Sequence, residues 1–213
     1  MITELPAVLA VASWRRAVHD LYAAVRAEAE PARAHAIWVA GRSRMFADHP
    51  ASARQGRQRL RHATYDPAYR FVVPIATAEP QTWAPPTGTD GDVPFSRVGR
   101  VSLPGLGQLD LWWLNSYGNG LFLPFRDTTA GRASYGAGRY LLDTVKGADL
   151  GRDGDALVID LNFGYNPSCA YDPAWACPLA PVGNRLEVDI PVGELVPVWA
   201  DSGGTGISCA EDG

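Results

Sequence analysis

A chain of 213 residues, 46% hydrophobic and with seven Trp, holds enough apolar mass for a packed core, and its length suggests one domain. No apolar run reaches membrane-spanning length and the first residues lack the basic start of a secretory signal, so the expected location is the cytoplasm. The formal charge of −4 is unevenly spread, with eleven Arg against six acids in residues 1–70, but these arginines are scattered over helical positions without interleaved aromatics, which argues against a nucleic-acid face.

In chain order, Leu5–Glu28 reads as a helix, because Val11, Trp14, Val18, Leu21, Tyr22 and Val25 recur at three- and four-residue steps. Pro31 ends it and can open a second helix, which carries Ala34, Ile37, Trp38, Met45 and Phe46 and stops near His49–Pro50. Two helices alone leave part of these stripes wet, so residues 1–50 are expected to form an arm packed on a sheet. Ala51–His62 has no clear period and reads as a connector.

From Tyr65 the chain turns to short alternating segments. Phe71, Val73 and Ile75 share one side of a strand, and Pro74 suggests an edge. Ser96–Leu103 follows, ended by Pro104–Gly105. Gln108–Asn115 puts Leu109, Leu111 and Trp113 on one face and Asp110 and Trp112 on the other. Asn119–Gly120 is a hairpin signal leading to Leu121–Phe125. Gly138–Asp143, Ala156–Phe163 and Arg185–Ile190 complete the set. This pattern predicts an α+β, mainly β protein: an antiparallel β-barrel or sandwich with an N-terminal two-helix arm. The expected organisation is a single domain over 1–200, with the β core at 65–200 and a loose tail at 201–213.

The segment Gly164–Asn184 stands apart. Pro167, Pro173, Pro178 and Pro181 forbid regular ladders, whereas Tyr165, Tyr171, Trp175 and Leu179 are too apolar to hang in water. Long structureless loops in compact domains tend to be functional or disordered, and the aromatics argue against disorder. A packed loop laid over a sheet is the expectation, and a site is expected there.

The chemistry-bearing candidates lie around this loop. Period-two reasoning turns Leu157, Ile159, Leu161 and Phe163 one way and Asp160 and Asn162 the other. Arg139 wants a carboxylate: Asp160 on a neighbouring strand would make a sheet-crossing ion pair, or else the guanidinium offers its planar fork to a substrate anion. Asp127, Asn166 and Asn184 belong to the same polar set, although Asn also ties loops down by bonding nearby backbone. Cys169 and Cys177 leave four readings open: inert buried thiols, metal ligands with His49, a nucleophilic Cys169 with His49 as base, or a disulfide. Three cysteines do not make a disulfide framework, and Cys209 in the tail has no assigned role. Asp149, Asp153 and Asp155 lack calcium-loop spacing and read as a plain hairpin. No internal repeat, phosphate loop, GxSxG or HExxH motif is present.

The run PFRDTTAGRASYGAGRYL, followed by VIDLNFGYNPSCAYDPAWACPLAPVGNRLEVDIPVGE, resembles the family known as domain of unknown function 1684. Its F-x-D-x-T-x-G-x-x-(S/T)-Y-x-x-G-R-Y-L pattern is met by Phe125, Asp127, Thr129, Gly131, Ser134, Tyr135, Gly138, Arg139, Tyr140 and Leu141. Asp160, Asn162, Tyr165, Asn166, Pro167, Cys169, Ala170 and Tyr171, then Cys177, Pro178, Pro181, Asn184 and Leu186, meet the rest. Phe46–Pro50 resembles the family's F-x-x-H-P element, but the S-P-L that usually follows is absent. The resemblance implies a family and no reaction.

The leading expectation is a polar site for a small anionic molecule, open to catalysis and lined by Arg139, Asp160, Asn162, Tyr165, Asn166, Tyr171, Asp127 and Asn184. A polar pocket beside Arg139 would mark such a site. The alternatives are a non-catalytic binding or structural module in which these residues only fix the loop, and a Cys–His hydrolase or transferase built on Cys169 and His49. No cofactor and no metal are assigned, and the expected partner is a small molecule rather than nucleic acid or membrane.

Overall fold

Helix α1 spans Leu5–Ala27 and α2 spans Pro31–Asp48, separated by an extended turn. Glu30 sets the start of α2 by accepting from Ala32 N and Arg33 N at 3.0 and 2.7 Å, while Pro31 fills the first helical position. The computed structural model describes residues 4–199 except 55, 57, 88–90 and 176. The expected loose tail lies outside the described residues.

Twelve strands follow among the described residues, all paired antiparallel: β1 (Gln58–Arg59), β2 (Arg70–Pro74), β3 (Thr82–Trp83), β4 (Pro86–Thr87), β5 (Gly91–Asp92), β6 (Phe95–Leu103), β7 (Gly107–Leu114), β8 (Gly120–Phe125), β9 (Arg139–Asp143), β10 (Arg152–Asp153), β11 (Ala156–Asp160) and β12 (Val198–Trp199). The main sheet has the order β3-β6-β7-β8-β9 and curls into a half-barrel. A second sheet runs β10-β11-β2, which puts Pro74 on an edge strand as expected. Two isolated bridges link the sheets: Ala76 with Arg100 on β6, and Tyr165 with Tyr140 on β9. The protein is α+β with two N-terminal helices ahead of antiparallel sheets.

Two segments depart from the expected strands. Ala156–Phe163 leaves the ladder at Asp160, because the Asp160 carboxylate accepts from Asn162 N and starts a 3₁₀ turn over Leu161–Phe163. Arg185–Ile190 joins no ladder. It runs beside Arg126–Thr128, with Leu186 N donating to Arg126 O at 2.8 Å and Thr128 N to Val188 O at 3.3 Å.

The interior is filled. Val101, Leu109, Leu111, Leu123, Phe125, Leu141, Ile159 and Leu161 are all fully buried. The arm closes one side of this core with Tyr22, Val25, Ala34 and Trp38, and Trp38 packs its ring 5.3 Å from Phe163. The outer face of the main sheet is covered too. Phe95, Trp112, Phe122 and Tyr140 form a second cluster there, against which Trp83, Tyr165 and Cys177 pack. Trp112 is therefore buried, while Trp113 on the other face reaches the sheet margin at 36% exposure.

Candidate functional site

The segment Asp127–Gly138 between β8 and β9 positions the first half of the motif. Gly138 sits at φ 95, and a Cβ there would stand 2.6 Å from Phe125 O, so the chain can turn into β9 only through glycine. This turn buries Arg139. Its Nη2 donates to Asp127 Oδ1 and to Ile190 O at 3.0 Å, its Nη1 to Val192 O and, at 3.4 Å, to Glu194 O, and its guanidinium lies 4.8 Å from the Phe125 ring centre. Asp127 Oδ2 accepts from Thr129 N, Thr129 Oγ1 and Ile190 N. Burial lowers the Arg139 pKa and the Asp127 charge opposes the fall.

The partner of Arg139 is thus Asp127, not Asp160. Strand β9 ends the main sheet and β11 lies in the other, so the two side chains are not cross-strand neighbours. Asp160 instead accepts from Asn162 N and Nδ2, and from the Tyr65 hydroxyl at 3.3 Å, with Arg70 Nε 3.9 Å away. Burial pushes its carboxyl up to about 6. Asn162 donates to Asp66 O and accepts from Asp66 N, both at 2.8 Å. Asn184 accepts from Trp112 Nε1 and donates to Asp110 O and Pro124 O, all at 2.8 Å. These side chains bond one another and the backbone, and no described cavity opens on Arg139.

Asp127 and Asp160 each border a surface cleft, of about 300 and 340 Å³, and the other half of the motif reaches open space as well. Asn166 anchors the loop on Glu194 and Leu195 O, and Glu194 also accepts from Arg42 Nε of α2 at 2.8 Å. Desolvation raises the Glu194 pKa. The Arg42 guanidinium lies 4.5 Å from the ring centre of Phe46 and 4.9 Å from that of Tyr165. Tyr171 is buried with its ring 4.8 Å from Phe46. Between the arm and the loop remains a cavity of about 90 Å³, lined among others by Tyr22, Arg42, Lys146, Tyr165, Asn166 and Cys177. Lys146 Nζ stands 3.3 Å from Asp143 Oδ2. Burial pushes the Tyr22 and Tyr165 hydroxyls well above the usual phenol range, so both stay protonated.

On the outer side of the loop lies a cleft of about 820 Å³, lined by Trp83, Tyr135, Cys169, Trp175, Cys177 and several prolines. Cys169 and Cys177 are free thiols that both line this cleft. The Tyr135 hydroxyl stands 3.7 Å from Cys169 Sγ and the Tyr140 hydroxyl donates to Pro178 O at 2.7 Å.

His49 is not brought to the thiols. Its Nδ1 accepts from Ala51 N at 3.1 Å, its Nε2 lies 3.4 Å from Ser13 Oγ, and its ring packs edge-on against Trp14. Among the described residues His49 bonds at the end of α2 and with Ser13 rather than with Cys169, the partner that the alternative Cys–His reading needs. Glu194, Arg42 and Lys146 were missed from sequence. Glu194 could have been flagged as a charge set among Val192, Leu195 and Val196, and Lys146 as the only lysine in the chain. Arg42 carries no such signal.

A family described as a protein of unknown function, DUF1684, matches residues 57–195. The solution NMR structure of an uncharacterized protein from Haloarcula marismortui is similar, with 30% identity and a TM-score of 0.53, over 74% of this chain and 89% of that one. No curated protein matches.

Proposed function

The chain belongs to the DUF1684 family, and from that premise we propose that it is a small-molecule-binding protein whose ligand sits where the inner cavity and the outer cleft meet. The observation that carries this reading is the position of Cys177, the one described residue lining both spaces. The cleft is of the size and apolar character that suits a small organic ligand, with Trp83 and Trp175 on its walls. The cavity is different. Arg42, Lys146, Tyr22 and Tyr165 on its walls carry hydrogen-bond donors and outnumber its one carboxylate, Asp143, which pairs with Lys146, so a small acceptor group suits it. At about 90 Å³ it admits only a few heavy atoms, the volume of about three waters.

In this reading the motif divides in two. Arg139, Asp127, Asp160, Asn162 and Asn184 are the frame that fixes the loop, and Tyr165, Asn166 and Cys169 stand where a ligand can reach. The bonding of the first group to backbone supports that division. A small-molecule partner fits better than nucleic acid, since Arg42, Arg70, Arg97, Arg100 and Arg139 all face carboxylates of this chain. No described helix is long and apolar enough to cross a membrane.

Native mass spectrometry of freshly purified protein tests the proposal. A bound small molecule is expected, with occupancy lost in Lys146→Met at unchanged melting temperature. A bare mass, together with no thermal shift across a panel of small carboxylates, refutes it.

A further inference from the structure

The two free thiols remain without a role in the frame. Cys169 and Cys177 line one cleft from a loop fixed on both sides, by Asn166 at its start and Asn184 at its end. Both face the outer cleft, and Cys177 also faces the cavity that contains Lys146. Buried structural cysteines are usually isolated among apolar groups. This pair instead is partly exposed, with the hydroxyl of Tyr135 on Cys169 and the exposed Lys146 among the residues that line the cavity beyond Cys177.

We propose that Cys169 and Cys177 form a redox-active dithiol that exchanges with a low-molecular-weight disulfide entering the outer cleft. This deepens the reading above only in requiring the cleft to admit a small molecule; it needs no ligand in the inner cavity. The two sulfurs have different roles. The hydrogen bond from Cys169, helped by the Lys146 charge, lowers the Cys177 thiol to about 6. Cys169 is raised, because it holds the proton of that bond. Cys177 is therefore the attacking thiolate and Cys169 the resolving thiol.

Cys177 Sγ attacks one sulfur of R–S–S–R, the S–S bond breaks, a Cys177–S–S–R bond forms and a thiolate RS⁻ departs. Cys169 passes its proton to that thiolate, and its sulfur attacks Cys177 Sγ. The mixed disulfide breaks and a second RS⁻ leaves, taking a proton from water according to its own pKa. Two protein thiols are oxidised to one disulfide while one small disulfide is reduced to two thiols. The product clips the loop between Cys169 and Cys177.

The test uses the full chain with Cys209→Ser, and bis(2-hydroxyethyl) disulfide as probe. Intact mass is expected to fall by two hydrogen atoms, and peptide mapping to find the Cys169–Cys177 link. Cys169→Ser should stop at the mixed disulfide on Cys177. In the unsubstituted pair the first step should hold nearly level from pH 8 to about 6, where an ordinary thiol slows ~tenfold per pH unit. Cys177→Ser should give neither product in the folded state. The proposal is overturned if the folded protein keeps two free thiols that alkylate only in denaturant, if the link involves other residues, or if the unsubstituted pair stops at the mixed disulfide. The mass readout on the unsubstituted pair needs no further folded variant, and it is independent of any co-purified ligand, so its failure is separate from failure of the binding reading.

Discussion

Arg139 and Asp127 meet at 3.0 Å with side chains 0% and 1% exposed, an ion pair entirely inside the protein. Its desolvation is met by the carbonyls of Ile190, Val192 and Glu194 on one side and by Thr129 and Ile190 N on the other. Removing one partner leaves a buried charge unpaired, which costs about 3–5 kcal/mol. Arg139→Ala should lower the unfolding free energy by that amount in denaturant titration. A loss below about 1 kcal/mol would show that water reaches the site and that the pair is not the frame proposed above.

Asn184 spends all three of its hydrogen bonds on closing the outer face of the sheet. Asn184→Leu keeps much of the volume but leaves Trp112 Nε1, Asp110 O and Pro124 O without their acceptor or donor. An unmet buried group costs about 1–3 kcal/mol. The variant should melt well below the parent and its near-ultraviolet tryptophan signal should weaken as Trp112 loses its anchor. Unchanged melting and unchanged near-ultraviolet signal would mean the loop stays closed without this residue.

Much of this was legible in local pattern. The helix bounds follow from the apolar stripes and from Pro31, the strands from alternation, and the packed loop from its prolines and aromatics. What the sequence could not convey is which strand lies beside which. Asp160 looked like a neighbour of Arg139 because Gly138–Asp143 and Ala156–Phe163 read as successive strands, but β9 and β11 belong to different sheets. Alternation likewise assigned Asn162 to a strand face, whereas Asp160 caps a turn that takes it off the ladder. Alternation separated Asp110 and Trp112 from Leu109 and Leu111, but only the fold brings the Asn184 turn over them. That Cys169 and Cys177 line one cleft has the same character: their separation in sequence does not convey it, and the chain turns at Ser168–Ala170 and again at Asp172–Trp175 before it reaches Cys177.

The family match begins at residue 57, yet the arm before it is part of the core. Trp38 is 1% exposed, donates to the Tyr22 hydroxyl at 3.2 Å and packs on Phe163. Trp38→Ala should cost about 3–5 kcal/mol, as for other large aromatic truncations in a core. Deleting residues 1–50 should leave the sheet surface around Leu157 and Phe163 bare, and the remainder should aggregate. A soluble remainder with the parent's melting temperature would detach the arm from the stability of the β core.

Asp160 makes stability depend on pH in a direction opposite to that of most carboxylates. Burial raises its folded pKa from 3.8 to about 6, so between those values the native state binds a proton that the unfolded state has lost. Stability is then greatest below the unfolded value and falls as pH rises through about 6, after which the loss is complete. Two pH units at about 1.4 kcal/mol each bound the change at roughly 3 kcal/mol. Asp160→Asn removes the titration while its carbonyl can still accept from Asn162 N. The difference in unfolding free energy, parent minus variant, should therefore decline from pH 4 to 6 and stay level above it. A direct reading comes from the carboxyl carbon shift of Asp160 by NMR, with a midpoint expected near 6. A midpoint below 4, with a difference curve that rises below pH 4 and is level from 4 to 6, would mean that Asn162, Tyr65 and Arg70 hold the carboxylate ionised despite its burial.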